Sequence, residues 1–201
     1  MRLTSLIAAM ALSAGCDGDK VLDPSCSGPT GLSLIQLNVE IESSIEALTG
    51  SAFCVDLSYN RTAFDRCALV VDAEGPIYLD PGLYLPEDKM FTKLAHEYGH
   101  IILGHTEEIS YLNSLIGWES CPYLRQMIEM ESEADRFAGV LTAIAGRSPE
   151  PGQDFLLDTL NRHQTFLPSC MANDIPECMK EDYTNQDRVD SFMSGYEEVS
   201  E

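Results

Sequence analysis

The sequence predicts an α+β fold, in which a single domain packs a small sheet on helices. Two observations support this prediction. Short segments rich in β-forming residues lie between positions 53 and 79, and longer segments with helical spacing of apolar residues lie before and after them. The chain has 201 residues, of which 44% are apolar. That length suits one domain with its own core and leaves little room for a second.

The amino-terminal half contains one expected helix and three expected strands. Apolar residues with helical spacing fill the later part of 32–49, and Gly50 would end that helix. Segments of alternating or β-branched residues then predict strands at 53–59, 67–72 and 76–79. These three strands would form the sheet.

The rest of the chain predicts helices. Pro86 and the acidic turn that follows it predict the start of a helix that would run to about Leu103. A second long helix is expected at 122–145, where apolar residues again recur with helical spacing. Weaker helical patterns lie at 153–163 and 187–194.

The charge balance limits the partners of the protein. Twelve Lys and Arg residues stand against 33 Asp and Glu residues, for a formal net charge of −21. A surface this acidic repels phosphate, so we expect no nucleic-acid partner and no electrostatic docking on anionic lipid. No apolar run reaches the roughly 18 residues that a membrane-spanning helix needs. Any contact with a membrane would be through a lipid anchor at the amino terminus.

Residues 1–15 have the pattern of a secretory signal of the bacterial lipoprotein type. Arg2 precedes a largely apolar run that ends in Leu-Ser-Ala-Gly immediately before Cys16. Cys16 would be lipidated and become the new amino terminus; the alternative is plain cleavage that leaves it a free thiol. Residues 16–30 would form a tether to a domain at 31–201. We therefore expect an exported protein, lipid-anchored in the periplasm or on the outer face of the cell envelope.

The six remaining cysteines predict disulfides. An even number of cysteines in an exported chain is typical of a disulfide framework, although the sequence does not fix the pairing. Short loops favour Cys54–Cys67 and Cys170–Cys178, which would leave Cys26 with Cys121. A zinc site built from cysteines is the weaker alternative because the sequence has no C-x-x-C pair.

Residues 96–100 read His-Glu-Tyr-Gly-His, an H-E-x-x-H motif. Residues four apart lie on one face of a helix, so the imidazoles of His96 and His100 can reach one metal ion. Glu97 lies beside that face, where it can take a proton from a water held by the ion. We expect one Zn²⁺ per chain, although manganese or cobalt could take the same ligands. The alternative is a helix whose histidines are ordinary surface or core residues.

The position of a third ligand follows from the next long helix. Glu131 lies inside the apolar stripe of that helix, and a carboxylate there is unfavourable unless a cation meets it. A metal ion on the two histidines is such a cation; neutralisation by Arg136 is the alternative. Asp135, one turn on, would accept a hydrogen bond from a ligating imidazole. Glu133 would point to solvent.

Two neighbouring positions were also considered as ligands. In the metzincins, a class of zinc peptidases, a third His lies six residues after the second, but Thr106 occupies that position here. His105 lies about 140° round a continuous helix from His100 and could not reach the same ion. It would instead pack on the domain as a polar residue at the helix end.

The chain resembles the gluzincins, a clan of zinc peptidases. More narrowly it is similar to the HtpX-like and CAAX prenyl-protease family over roughly residues 75–165. The similarity rests on Gly-Pro-Ile-Tyr-Leu-Asp-Pro-Gly-Leu at 75–83, His-Glu-Tyr-Gly-His-Ile-Ile-Leu-Gly-His at 96–105, Glu-Ser-Glu-Ala-Asp-Arg at 131–136 and Ala-Gly-Arg-Ser-Pro at 145–149. The ImmA/IrrE-like peptidases share the helix motifs but usually lack exported disulfides, and are the second resemblance.

The resemblance implies a zincin-like (gluzincin) fold over 31–201 and hydrolysis of protein or peptide substrates. It implies zinc on His96, His100 and Glu131, with Glu97 as the general base. It also places Asp135 behind a ligating imidazole.

The chain departs from the family at residues 182–188, where a His-Pro segment ahead of an Arg is often found and no His occurs here. Tyr183 or Arg188 is the candidate for stabilising the oxyanion, and an ordinary surface role is the alternative. A metal-binding but catalytically silent chaperone or inhibitor remains an alternative function, as does a structural lipoprotein. An intact Glu97 argues against silence.

Overall fold

A computed structural model describes residues 29–55, 57–59, 70–71, 77–79, 85–116, 121–162 and 185–200. This part of the chain is 83% helical. Its helices are α1 (Pro29–Thr49), α2 (Glu87–Ile102), α3 (His105–Ile116), α4 (Cys121–Ile144), α5 (Glu150–Arg162) and α6 (Asn185–Ser200).

Within the described residues, the expected sheet consists of three short strands, β1 (Leu57–Tyr59), β2 (Val70–Val71) and β3 (Ile77–Leu79). They pair in the order β1-β3-β2, with β1 parallel and β2 antiparallel to β3. Each strand is only two or three residues long. The α+β prediction is therefore wrong, because the described part of the chain is mostly helical.

The apolar core of the described residues is built mainly from helices, which explains why the fold is mostly helical. Most buried apolar side chains of the described residues belong to helices, whereas the strand region contributes Val55 and Ile77. The amino-terminal and carboxy-terminal helices are also longer than expected, because α1 begins at Pro29 and α6 extends to Ser200. A proline is well tolerated in the first turn of a helix, where its missing N–H would have no partner.

Helix α3 was not predicted. Gly104 was expected to end α2, and it does lie just past that helix with a φ of 72°. The chain then enters a new helix immediately, with Glu107 and Glu108 in its first turn. Acidic residues at a helix amino terminus are favourable. The turn at Leu103–Gly104 thus separates the two helices, and the first residue of α3, His105, lies beside His100 of α2.

Helices α4 and α6 cross with their backbones in contact at two glycines. A side-chain carbon at Gly139 would overlap the carbonyl oxygen of Phe192, and one at Gly195 would overlap the carbonyl oxygen of Arg136. This close approach places the buried Arg188 of α6 against α4.

Polar contacts hold α1 against α2. The Tyr98 hydroxyl donates to Oδ1 of Asn38 at 2.6 Å. Arg147, just after α4, donates to both carboxylate oxygens of Glu40 and also pairs with Asp88 at the start of α2. Its guanidinium lies 4.6 Å from the centre of the Phe91 ring. These contacts fix the direction of α2, which carries the H-E-x-x-H motif.

The predicted signal (1–15) and most of the tether (16–30) lie outside the described residues, and α1 begins within the last two tether positions. Among the helices that the structure describes, none combines the length and apolar character needed to cross a membrane.

Candidate metal centre

The site forms where α2 crosses α4. An added side-chain carbon at Gly99 of α2 would lie 3.0 Å from Cα of Ala134 and 3.2 Å from its carbonyl oxygen. Gly99 therefore lets the two helices approach more closely than a larger residue would. Because Gly99 precedes His100 and Ala134 precedes Asp135, this contact brings the H-E-x-x-H motif next to the acidic segment of α4.

His96, His100 and Glu131 form a buried cluster that could bind a metal ion. Nε2 of His96 lies 3.1 Å from Nε2 of His100 and 3.1 Å from Oε2 of Glu131, and Nε2 of His100 lies 3.5 Å from Oε1 of Glu131. Ligands at about 2.0–2.1 Å around a tetrahedral zinc ion are separated by about 3.4 Å. The spacing of the three groups therefore fits a tetrahedral ion, with a fourth position left over.

Asp135 lies behind His96, as the sequence led us to expect. Its Oδ1 is 2.8 Å from Nδ1 of His96. Arg188 donates from Nε to Oδ2 at 2.6 Å and from Nη2 to Oδ1 at 2.7 Å. With Asp135 accepting at Nδ1, a neutral His96 has its lone pair on Nε2, which faces the cluster.

His105 and Glu133 lie behind His100. Nδ1 of His105 is 3.0 Å from Nδ1 of His100, and Nε2 of His105 is 3.1 Å from Oε2 of Glu133. His105 is buried, whereas the Glu133 side chain is 57% exposed. The expectation that Glu133 points to solvent therefore describes only part of its surroundings, because one of its oxygens pairs with a buried imidazole.

The cluster holds opposite charges in a buried space. Burial lowers the pKa of His96, but Asp135 and Glu131 outweigh it and raise that pKa to about 9. Burial likewise raises the pKa of Glu131, but the neighbouring imidazoles of His100 and His96 hold it well below its usual range. Arg188 and His96 lower the pKa of Asp135 against the effect of its burial. Without a metal, a proton on His96 thus balances the carboxylates.

The surroundings of His105 lower its pKa, whereas those of His96 raise the pKa of that residue. Burial first, and then the neighbouring His100, lower the pKa of His105 to about 4. His105 is therefore a neutral imidazole near neutral pH.

Glu97 is buried next to His96 in the chain. Its Oε1 accepts a hydrogen bond from Nζ of Lys93, one turn earlier on α2, at 2.7 Å. The Lys93 side chain is 22% exposed. The ion pair restrains the carboxylate of Glu97 on α2, one residue after His96.

The other predicted site residues are placed as follows. Arg188 is buried, pairs with Asp135, and has Nη2 3.9 Å from Oε2 of Glu131. Arg136, considered as the cation for Glu131, pairs instead with Glu198 at 2.6 Å. Tyr183 and Cys16 lie outside the described residues.

Cys54 is disulfide-bonded. The other cysteine of the favoured Cys54–Cys67 pair lies outside the described residues, as do Cys26, Cys170 and Cys178.

Two features of the site were not predicted from the sequence: the close helix approach at Gly99 and the contact of His105 with His100. A glycine and an alanine at corresponding positions of two ligand-bearing helices are a signal of close helix approach, which could have been applied to Gly99 and Ala134. His105 was excluded on the assumption that α2 continues past it. Gly104 carried the signal that it does not, since a glycine just past a helix commonly adopts a left-handed conformation and ends it.

Comparison with known proteins gave no match to a family model, a curated protein or a solved structure. The family resemblance of the motifs therefore stays a prediction.

Proposed function

We propose that this protein is a zinc-dependent metalloendopeptidase that hydrolyses peptide bonds in protein or peptide substrates. The observation that carries the proposal is the buried His96–His100–Glu131 cluster with Glu97 beside it on the same helix. Two imidazoles and one carboxylate are a donor set of catalytic zinc sites that keep a fourth position for water or substrate.

Zinc bound there would lower the pKa of a coordinated water and polarise the substrate carbonyl. The residues of the chain supply the other parts of the reaction. Glu97 accepts the proton from the attacking water and delivers it to the leaving amine. The hydrogen bond from Lys93 at 2.7 Å restrains this buried carboxylate, and a restrained general base supports the role.

The oxyanion that forms on the substrate carbonyl needs a donor besides the metal. The two short bonds from Arg188 to Asp135 support a positioning role for Arg188, in which it holds Asp135 and thereby His96. Tyr183 remains the other candidate. Truncating it to Phe removes the hydroxyl, and a fall in kcat with KM unchanged would support its role.

We further propose that the protein is exported and anchored to the bacterial cell envelope through a lipid on Cys16. The disulfide at Cys54 supports export, because disulfides persist in oxidising compartments. Labelling with a radioactive fatty acid in the wild type and in Cys16→Ser tests this proposal. Label in both proteins, or in neither, would contradict it.

The experiment that tests the enzymatic proposal compares the zinc content and peptidase activity of wild type and Glu97→Gln. We expect one zinc per chain in both proteins and activity in the wild type alone. Glu129→Gln is the matched control, because Glu129 is exposed on α4 and the change removes the same charge. Stoichiometric zinc without activity in any of the three proteins would favour a silent chaperone or inhibitor. Absence of zinc from folded wild type would refute both the zinc peptidase and the metal-binding chaperone or inhibitor.

A further inference from the structure

His100 is connected to the surface by a line of two side chains. Its Nδ1 contacts Nδ1 of His105, whose Nε2 contacts the half-exposed carboxylate of Glu133. The two imidazoles meet nearly edge to face, with ring centres 5.1 Å apart and an angle of 70° between the planes. His100 and His105 are both buried.

When each imidazole carries one proton, as a metal-binding His100 must, the hydrogen-bond chemistry of this line allows one arrangement. A carboxylate only accepts hydrogen bonds, so Nε2 of His105 must carry a proton to contact Glu133. A neutral imidazole carries a single proton, which leaves Nδ1 of His105 as an acceptor. The proton between the two Nδ1 atoms therefore belongs to His100. A neutral His100 then has its lone pair on Nε2, the atom that faces Glu131 and His96.

We propose that His105 and Glu133 are positioning residues that fix His100 in the tautomer whose Nε2 can bind a metal ion. The proposal rests on the metal site proposed above, and it assigns His105 a task rather than a packing role. Neither residue belongs to the His96–His100–Glu131 cluster, so both act through His100. The two histidines are thus held by different partners: His96 by the carboxylate of Asp135, which Arg188 holds, and His100 by the imidazole of His105.

The turn between α2 and α3 is what makes the contact possible. If α2 continued, His105 would lie about 140° away from His100 around the helix. The helix instead ends at Ile102, and Gly104 adopts a φ of 72° that a larger residue would rarely adopt. A new helix, α3, then begins at His105, whose ring lies beside that of His100.

The variants His105→Asn and His105→Phe separate positioning from packing. Asparagine can place an oxygen near the position of Nδ1 and so accept the hydrogen bond from His100, but it leaves part of the ring volume empty. Phenylalanine fills that volume and cannot accept. Loss of such a partner typically weakens metal binding about 10- to 100-fold. We expect that loss for His105→Phe and less than about a fivefold change for His105→Asn, measured by zinc competition with a chromophoric chelator. A pure packing role would give the reverse order.

The tautomer of His100 gives a second measurement that needs no variant. Long-range ¹H–¹⁵N spectra of the metal-free wild type should show His100 protonated at Nδ1 and His105 protonated at Nε2. In His105→Phe, if it folds, the His100 tautomer should become mixed. His100 protonated only at Nε2 in the wild type, or equal zinc affinity in wild type and a folded His105→Phe, would overturn the proposal.

This design distinguishes failure of the inference from failure of the proposed function. If the wild type bound no zinc, the enzymatic proposal would fail, but the spectrum of the metal-free protein would still decide the tautomer. Glu133→Ala should weaken zinc binding by a smaller factor than His105→Phe, because Glu133 is half exposed and water can replace it. Glu129→Ala on the same helix is the control and should leave the affinity unchanged.

Discussion

Replacing Asp135 with Asn tests the arrangement that holds His96. Asp135 is fully buried, and donors face both of its oxygens. Oδ1 accepts from Nδ1 of His96 and Nη2 of Arg188, and Oδ2 accepts from Nε of Arg188. An asparagine has the same shape but carries an NH₂ group in place of one oxygen. In either orientation of the amide, that NH₂ group meets a donor instead of an acceptor.

The size of the effect follows from the charge left behind. Arg188 is buried and would lose its charged partner, and removing one member of a buried ion pair typically costs about 3–5 kcal/mol. We expect the free energy of unfolding of the metal-free protein to fall by that amount, which is a large part of the roughly 5–15 kcal/mol of a typical domain. His96 would also lose its fixed tautomer, so zinc affinity should fall about 10- to 100-fold.

Urea unfolding monitored by circular dichroism, together with chelator competition for zinc, measures both effects. Asp190→Asn is the matched control. Asp190 lies on α6, is exposed, and accepts a hydrogen bond from Gln186, so the substitution changes the same charge without a buried partner. If Asp135→Asn lowered the unfolding free energy by no more than this control, Arg188 would not depend on Asp135 and the reasoning would be refuted.

Three further predictions concern helix packing and pH. Gly99→Ala forces α2 and α4 apart by a few tenths of an ångström. Urea unfolding should therefore show a loss of about 1–3 kcal/mol in the free energy of unfolding, offset by up to about 1 kcal/mol of helix propensity. Zinc should also bind more weakly, and unchanged zinc affinity would contradict a close crossing at the site. Gly195→Ala would overlap the carbonyl oxygen of Arg136 and push α6 away from α4, so we expect a larger loss than for Ser194→Ala, the exposed neighbour used as control. The pKa of His96 is raised from 6.5 to about 9. Protonation of His96 therefore stabilises the metal-free protein by at most about 3 kcal/mol, and this stabilisation is fully present below pH 6.5. It is lost as the pH rises through about 9. Zinc must displace the same proton, so its affinity should rise about tenfold per pH unit between pH 7 and 8; a flat profile would mean that His96 is already neutral.

The sequence was informative about the candidate site because the site rests on helix periodicity. Spacing alone brought His96 and His100 onto one face, and the position of Glu131 within an apolar stripe indicated a buried carboxylate that needs a cation. The structure places all three in one buried cluster. Asp135 was likewise expected beside a ligating imidazole, and it lies 2.8 Å from His96.

Contacts between distant segments were harder to predict. The bond between Arg188 and Asp135 joins residues 53 positions apart, and it depends on the close crossing at Gly139 and Gly195, which local patterns do not reveal. The contact of His105 with His100 depends on the φ of a single residue, Gly104.

The fold class was predicted wrongly because short apolar runs are ambiguous. A run of four to seven β-forming residues, such as 53–59, satisfies a strand pattern whether or not it finds a partner along its whole length. Among the described residues of that run, Leu57–Tyr59 pair with β3. Helix α1 and the last helix supply buried side chains that the periodicity argument weighted too lightly, among them Leu37, Ile41 and Phe192. Packing between helices, and not the pairing of strands, therefore forms most of the core of the described residues.

We propose above that two imidazoles and one carboxylate of this chain hold a zinc ion. X-ray absorption spectroscopy of the zinc-loaded protein tests it most directly, because it reports the ligand atoms themselves. We expect two imidazole nitrogens and one or two further oxygens at about 2.0–2.1 Å, with one imidazole contribution lost in His100→Gln. Sulfur ligands at about 2.3 Å, or an imidazole signal that His100→Gln leaves unchanged, would contradict the claim.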